Sequence, residues 1–170
     1  MVSKPKIITF QSQHEEFLFL CKEYPFPNPD MGGVWDSFDS AGGFDLHKKY
    51  GKYSYPCMVM YHYEEPTQLL YCPGIIVNEM DEVPVGFIIK KFPARDYVVV
   101  TTEWMETYEE ATGENGLGQT NKFQRTVQIP EGYERYDKPD NQIHIIEVFN
   151  TYTENGHRWE FWVPIKKVTE

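Results

Sequence analysis

Glu147 stands in Ile143-His144-Ile145-Ile146-Glu147-Val148-Phe149, a run of β-branched and aromatic residues that specifies a strand. Alternate side chains of a strand share a face, so Ile145, Glu147 and Phe149 point the same way. A carboxylate between two apolar neighbours is costly to bury unless a donor or counter-charge meets it. An anionic group walled by aromatic rings suits an organic cation, because Coulomb and cation–π attraction then act together. Read alone, the segment favours the plainer arrangement, an edge-strand glutamate facing water. A second aromatic run, Trp159-Glu160-Phe161-Trp162-Val163-Pro164-Ile165, follows a short link and could pair with the first.

Other chemistry is poorly supported. Gly113-Glu114-Asn115-Gly116-Leu117-Gly118 lacks the Lys-Ser/Thr ending of a phosphate loop and reads as a flexible loop. The histidines at 14, 47, 62, 144 and 157 show no ligand spacing with Cys or Asp, so no metal and no cofactor is expected. Cys57 and Cys72 lack an evident His partner, and no Gly-x-Ser-x-Gly elbow occurs. The odd number of cysteines, Cys21, Cys57 and Cys72, suits a reducing cytoplasm and buried apolar packing.

The elements that must position Glu147 follow from pattern and punctuation. A first strand reads from about Lys6 to Phe10 and resumes through Phe17 to Leu20. Tyr24 to Asp30 is a proline-broken connector, and Asp30 caps a helix through Val34, Trp35 and Phe38 toward Leu46, interrupted at Gly42-Gly43. Strands are expected from Tyr55 to Tyr63, closed by Glu64-Glu65-Pro66, and from Leu69 to Glu79, with a bulge or close approach at Pro73-Gly74. Val85 to Phe92 and Tyr97 to Trp104 follow, hinged at Pro93. Residues 105 to 120 read as polar loop, and a second helix spans about Gln119 to Gln128, stopped by Ile129-Pro130. The strands around Glu147 and Trp162 close the chain through an Asn155-Gly156 hairpin turn. The order is strand–helix–strand–strand, twice. The expectation is a single α+β domain over residues 1–170, with repeats at about 5–80 and 85–168. Their antiparallel sheet carries helices on one face and a ligand cleft between the repeats.

Composition sets the partners. The 170 residues are 16% aromatic, with 12 Tyr, 11 Phe and 4 Trp, more rings than a core of this size requires. Acidic residues outnumber basic ones, 26 to 16, for a formal net charge of −10. Such a surface repels phosphates and anionic membranes, so neither direct nucleic-acid binding nor membrane binding is expected. Phe17 to Cys21 is too short for a leader or a span, which with the cysteines points to the cytoplasm.

Several motifs resemble those of one family. Tyr71-Cys72-Pro73-Gly74-Ile75-Ile76-Val77 with Val83-Pro84-Val85-Gly86-Phe87 is similar to a paired stretch of the gyrase-inhibitor-like effector-binding domains. These domains serve AraC- and MerR-type regulators and also occur alone. Phe92 to Val99, Ile129-Pro130-Glu131-Gly132-Tyr133, Ile146 to Phe149 and Trp159 to Ile165 resemble further segments of that family, in order, from about residue 5 to 168. The family has a ligand-facing glutamate, and the resemblance assigns that role to Glu147. Trp104 stands where the family usually has Gly, and Phe149 and Trp162 stand where it commonly has Tyr.

The resemblance implies a standalone effector-binding protein for a lipophilic, cationic aromatic molecule. Glu147 supplies the counter-charge, with Trp162, Tyr61, Trp104, Phe123, Trp35, Tyr97 and Phe149 around it. Strand parity places Trp159 with Phe161 and Val163, expected in the core, and Trp162 with Glu160, expected at the ligand. The match begins almost at Met1, so no helix-turn-helix is expected, and a transcriptional role would need a protein partner. Two alternatives use other chemistry: a hydrolase of small electrophilic compounds with Glu147 and Tyr61 or Tyr97, and an acidic module that inhibits gyrase or another partner.

Overall fold

The computed structural model describes residues 5–53, 56–62, 68–137 and 142–168, apart from the side chains of 149–152. Ten strands form one sheet in which every pairing is antiparallel. The strands are β1 Ile7–His14, β2 Phe17–Cys21, β3 Tyr24–Phe26, β4 Cys57–His62, β5 Leu69–Val77, β6 Ile88–Phe92, β7 Arg95–Thr102, β8 Tyr133–Arg135, β9 Ile143–Thr153 and β10 Gly156–Lys167. The helices are α1 Met31–Ser40, α2 Gly43–Tyr50, α3 Tyr108–Thr112 and α4 Gln119–Gln124. Among the described residues no helix is long and apolar enough to cross a membrane. The expected strand limits Tyr55 and Tyr63, and the Glu64-Glu65-Pro66 stop, lie outside the described residues.

The sheet order is β1-β7-β10-β9-β4-β5-β2-β6, with β3 added on β5 and β8 on β10. The order is symmetric about the β9–β4 pair, so β5 answers to β10, β2 to β7 and β3 to β8. The edge strands are exchanged: β1 borders the second half and β6 the first. What the sequence presents as one interrupted strand, residues 6 to 20, is therefore divided between the halves. Its register against the other long segment is continuous, from His14↔Arg95 to Phe17↔Phe92. Two long bent strands thus bring the ends of the sheet together, and the sheet curls on itself.

Curling buries both faces of the central strands. Inside the curl lie Phe19, Val59, Tyr61, Cys72, Tyr97, Val99, Ile146 and Trp162, and no helical residue joins this cluster among those described. The other face carries Met58, Met60, Tyr71, Ile145, Trp159, Phe161 and Val163, packed with Val34 and Trp35 of α1. Beside them Leu20, Ile75 and Val77 meet Phe38 and Phe87. This double burial is why β4 and β5 read as nearly unbroken apolar runs.

Local chemistry explains the helices. The Asp30 carboxylate accepts the Gly33 N–H at 2.9 Å and starts α1. Gly42, at φ 87°, holds the left-handed turn that separates α1 from α2. A Cβ on Gly74 would meet the Leu20 carbonyl oxygen at 2.5 Å, so the expected close approach is a packing of β2 on β5. Residues 105 to 120 depart from the loop expectation. Thr107 and Glu110 form a reciprocal capping box that launches α3, and the glycine-rich segment winds as a π-helical turn, Glu114–Gly118, into α4. The second helix is correspondingly short, ending at Gln124 rather than near Gln128.

Candidate functional site

β9 pairs Glu147 with Met58 of β4 on one side and Phe161 of β10 on the other. All three side chains rise into a cavity of about 660 Å³ between the two halves of the fold. Its floor is Met58, Met60, Ile145, Glu147 and Phe161; one wall is Phe26, Leu69 and Tyr71 from β3 and β5. The opposite wall is Asn121, Gln124 and Arg125 at the end of α4, with Arg135, Asp137 and His144.

Among the described residues, one hydrogen-bond donor holds Glu147. Its Oε1 accepts the Trp159 indole N–H at 2.7 Å, and no ion pair reaches it among the described residues. Burial pushes its carboxyl up to about 7, and the Trp159 hydrogen bond offsets only part of that rise. The result is a carboxylate poorly solvated when charged, facing open space beside apolar and aromatic groups. Tyr71 is fixed by Trp35, whose indole N–H donates to the Tyr71 hydroxyl at 2.9 Å. Burial, then the nearby Glu147 charge, hold the Tyr71 phenol above its ordinary range, so it stays protonated.

The polar wall is organised by Arg135. Its guanidinium pairs with Asp137 at 3.0 Å and donates to the Gln124 carbonyl at 2.9 Å and to Gln124 Oε1 at 3.0 Å. These contacts tie β8 to the end of α4. His144, lining the same end, is buried enough to lower its imidazole below the usual histidine range, against the pull of Asp137.

The structure brings together fewer of the expected site residues than parity suggested. Glu147 lines the cavity, and Trp35 stands behind it as the anchor of Tyr71. Trp162, Tyr61 and Tyr97 lie on the opposite face, inside the curl. Trp162 stacks on His14 at 4.0 Å and donates to Glu160 at 3.0 Å, so it cannot wall a ligand at Glu147. Trp104 borders a separate groove with Glu103, Glu106 and Glu110, its ring covered by the Arg158 guanidinium at 4.0 Å. Phe123 is exposed on the outer side of α4, away from the cavity. The Phe149 side chain lies outside the described residues.

Parity was sound but the choice of face was inverted. Trp159, Phe161 and Val163 do share a face, and it is the face of Glu147. Both faces of β10 are aromatic, so only the register Phe161↔Glu147 decides which one meets the carboxylate. Tyr71, Trp159, Phe161, Met58 and Met60 are the contributors that sequence reasoning missed. Tyr71 was within reach, since it opens the Tyr71-Cys72-Pro73-Gly74 motif.

The fold thus sets a carboxylate-floored cavity between two pseudo-symmetric halves. Residues 11–165 match the model of the Cass2 family, the integron-associated effector-binding proteins, and the chain belongs to that family. A search of curated proteins by sequence finds no match. Among solved structures, SAV2435 bound to tetraphenylphosphonium superposes with a TM-score of 0.69 at 9% identity, covering 94% of each chain. The Vibrio cholerae integron cassette protein VCH_CASS2 gives 0.61 at 12% identity, over 93% of this chain and 95% of that one. The C-terminal domain of EcmrR gives 0.55 at 15% identity, over 95% and 99%. At these identities the likeness is one of fold.

Proposed function

We propose that this effector-binding protein captures a lipophilic organic cation in the cavity floored by Glu147. The carrying observation is a carboxylate at about 7 that faces a 660 Å³ space with a single donor and no ion pair among the described residues. A bound cation would supply the missing counter-charge, while Tyr71 and Phe161 offer ring surfaces and Met58 and Met60 a deformable floor. Flexible thioethers and rings discriminate little among flat hydrophobic cations, so broad specificity follows. The tetraphenylphosphonium held by the similarly folded SAV2435 supports this ligand class.

For the hydrolytic alternative, Tyr61 and Tyr97 lie across the sheet from Glu147, so the phenol available beside this carboxylate is that of Tyr71. With a net charge of −10 these 170 residues are unsuited to contact duplex phosphates directly. Calorimetric titration of tetraphenylphosphonium into the protein and its Glu147→Gln variant tests the proposal. Clearly weaker one-to-one binding to the variant is expected, because tetraphenylphosphonium has no hydrogen-bond donor and gains from Glu147 by charge attraction alone. Equal affinities would remove Glu147 from the site.

A further inference from the structure

We propose that the preferred ligand carries an acidic group as well as a positive centre, with the cation at Glu147 and the acid at Arg125. This inference rests on the cation reading of Glu147 and adds a second contact at the other side of the same cavity. Among the described residues, four charged side chains line that cavity: Glu147, Asp137, Arg125 and Arg135. Two of them cancel, since Arg135 and Asp137 form an ion pair at 3.0 Å, and the rest of the Arg135 guanidinium is engaged by Gln124. Burial keeps the His144 imidazole below its usual range, so it adds no charge at neutral pH.

Glu147 and Arg125 remain, and neither has an ion pair among the described residues. They do not serve each other. No ion pair joins Arg125 to Glu147. Their positions explain this. Glu147 rises from the central strand of the floor, whereas Arg125 is exposed at the rim, one residue past the end of α4. Next to it, Asn121 accepts from Gln124 through Oδ1, which leaves its amide N–H groups to donate. A simple cation would satisfy the floor and leave a positive rim above it. A molecule with a carboxylate at its far end would meet complementary charge at both places.

A matched pair of xanthylium dyes tests this: a rhodamine methyl ester, which is a plain cation, and its free acid, which is zwitterionic at neutral pH. Fluorescence anisotropy titrations with the full chain would give the ratio of their affinities. The acid should bind roughly two- to fivefold tighter, the scale of an exposed charge pair, and the advantage should shrink at high salt. Arg125→Gln should bring the ratio to one, Arg125→Lys should preserve it, and Glu147→Gln should weaken both dyes while keeping it. An acid that binds no better than the ester, a ratio indifferent to Arg125→Gln, or no binding of either dye would overturn the inference. Tetraphenylphosphonium, which has no acid, separates the two ideas. Binding of it that depends on Glu147, alongside a dye ratio of one, would leave the cation site standing and sink only the second contact.

Discussion

Affinity for a permanent cation should rise steeply with pH, because the counter-charge itself titrates near neutrality. The Glu147 carboxyl is pushed up to about 7 by burial. Its charged fraction is then roughly 3% at about pH 5.5 and roughly 90% at about pH 8. If only the carboxylate binds the cation, affinity should grow about 30-fold across that interval, equivalent to about 2 kcal/mol. Tetraphenylphosphonium is the suitable probe, since its own charge does not change. Calorimetry in two buffers of different ionisation enthalpy should also show proton release on binding, largest below neutrality. His144 titrates below its usual range and would repel a cation when protonated, in the same direction as Glu147. Glu147→Gln separates the two, because any slope that survives in this variant belongs to His144. A flat profile in the natural protein, or the full 30-fold slope retained in Glu147→Gln, would refute the ion-pair model.

Three further outcomes follow from the same geometry. A carboxyl raised from an ordinary 4.5 to about 7 contributes stability that is complete below about pH 4.5 and lost as pH rises through 7. Thermal melts should therefore show the ligand-free protein weakening toward alkaline pH by up to about 3 kcal/mol, a loss that Glu147→Gln abolishes and saturating cation reverses. Trp159→Phe removes the one donor to Glu147, so the pH midpoint of cation binding should move upward; an unchanged midpoint would deny the hydrogen bond its role. Trp162→Ala should cost roughly 3–5 kcal/mol of stability, as large-to-small changes in a core do, yet leave cation affinity per folded molecule unaltered, because the ring lies across the sheet from the cavity. A large loss of affinity with normal melting would reverse that assignment.

The amino-acid sequence by itself determined where most of the long strands lie, the α1 start at Asp30, the break at Gly42-Gly43, a tight turn within residues 153–156 and the α+β class, because these rest on local periodicity and turn chemistry. It did not reveal the short strands β3, read as a connector, and β8. Glu147 was conspicuous for a similar reason, as a carboxylate inside an apolar strand, but the strand alone favoured a solvent-facing edge, and the ligand-facing role came from the family resemblance. The Thr107–Glu110 capping box was equally local and legible, and the glycines after it masked the helix it starts. Tertiary structure decided what surrounds Glu147. Side-chain alternation says that Trp159 and Trp162 face opposite ways, but either face of such a strand could be the inner one. Only the pairing of Phe161 with Glu147, and the continuous register that curls the sheet around Trp162, distinguish them. The contribution of α4 was hidden for the same reason. Phe123 was the conspicuous residue of that helix, yet the end of the helix turns Asn121, Gln124 and the following Arg125 toward the cavity, tied to Arg135 from a separate strand. Charges that meet only through long-range pairing leave no local signature in the residues that carry them.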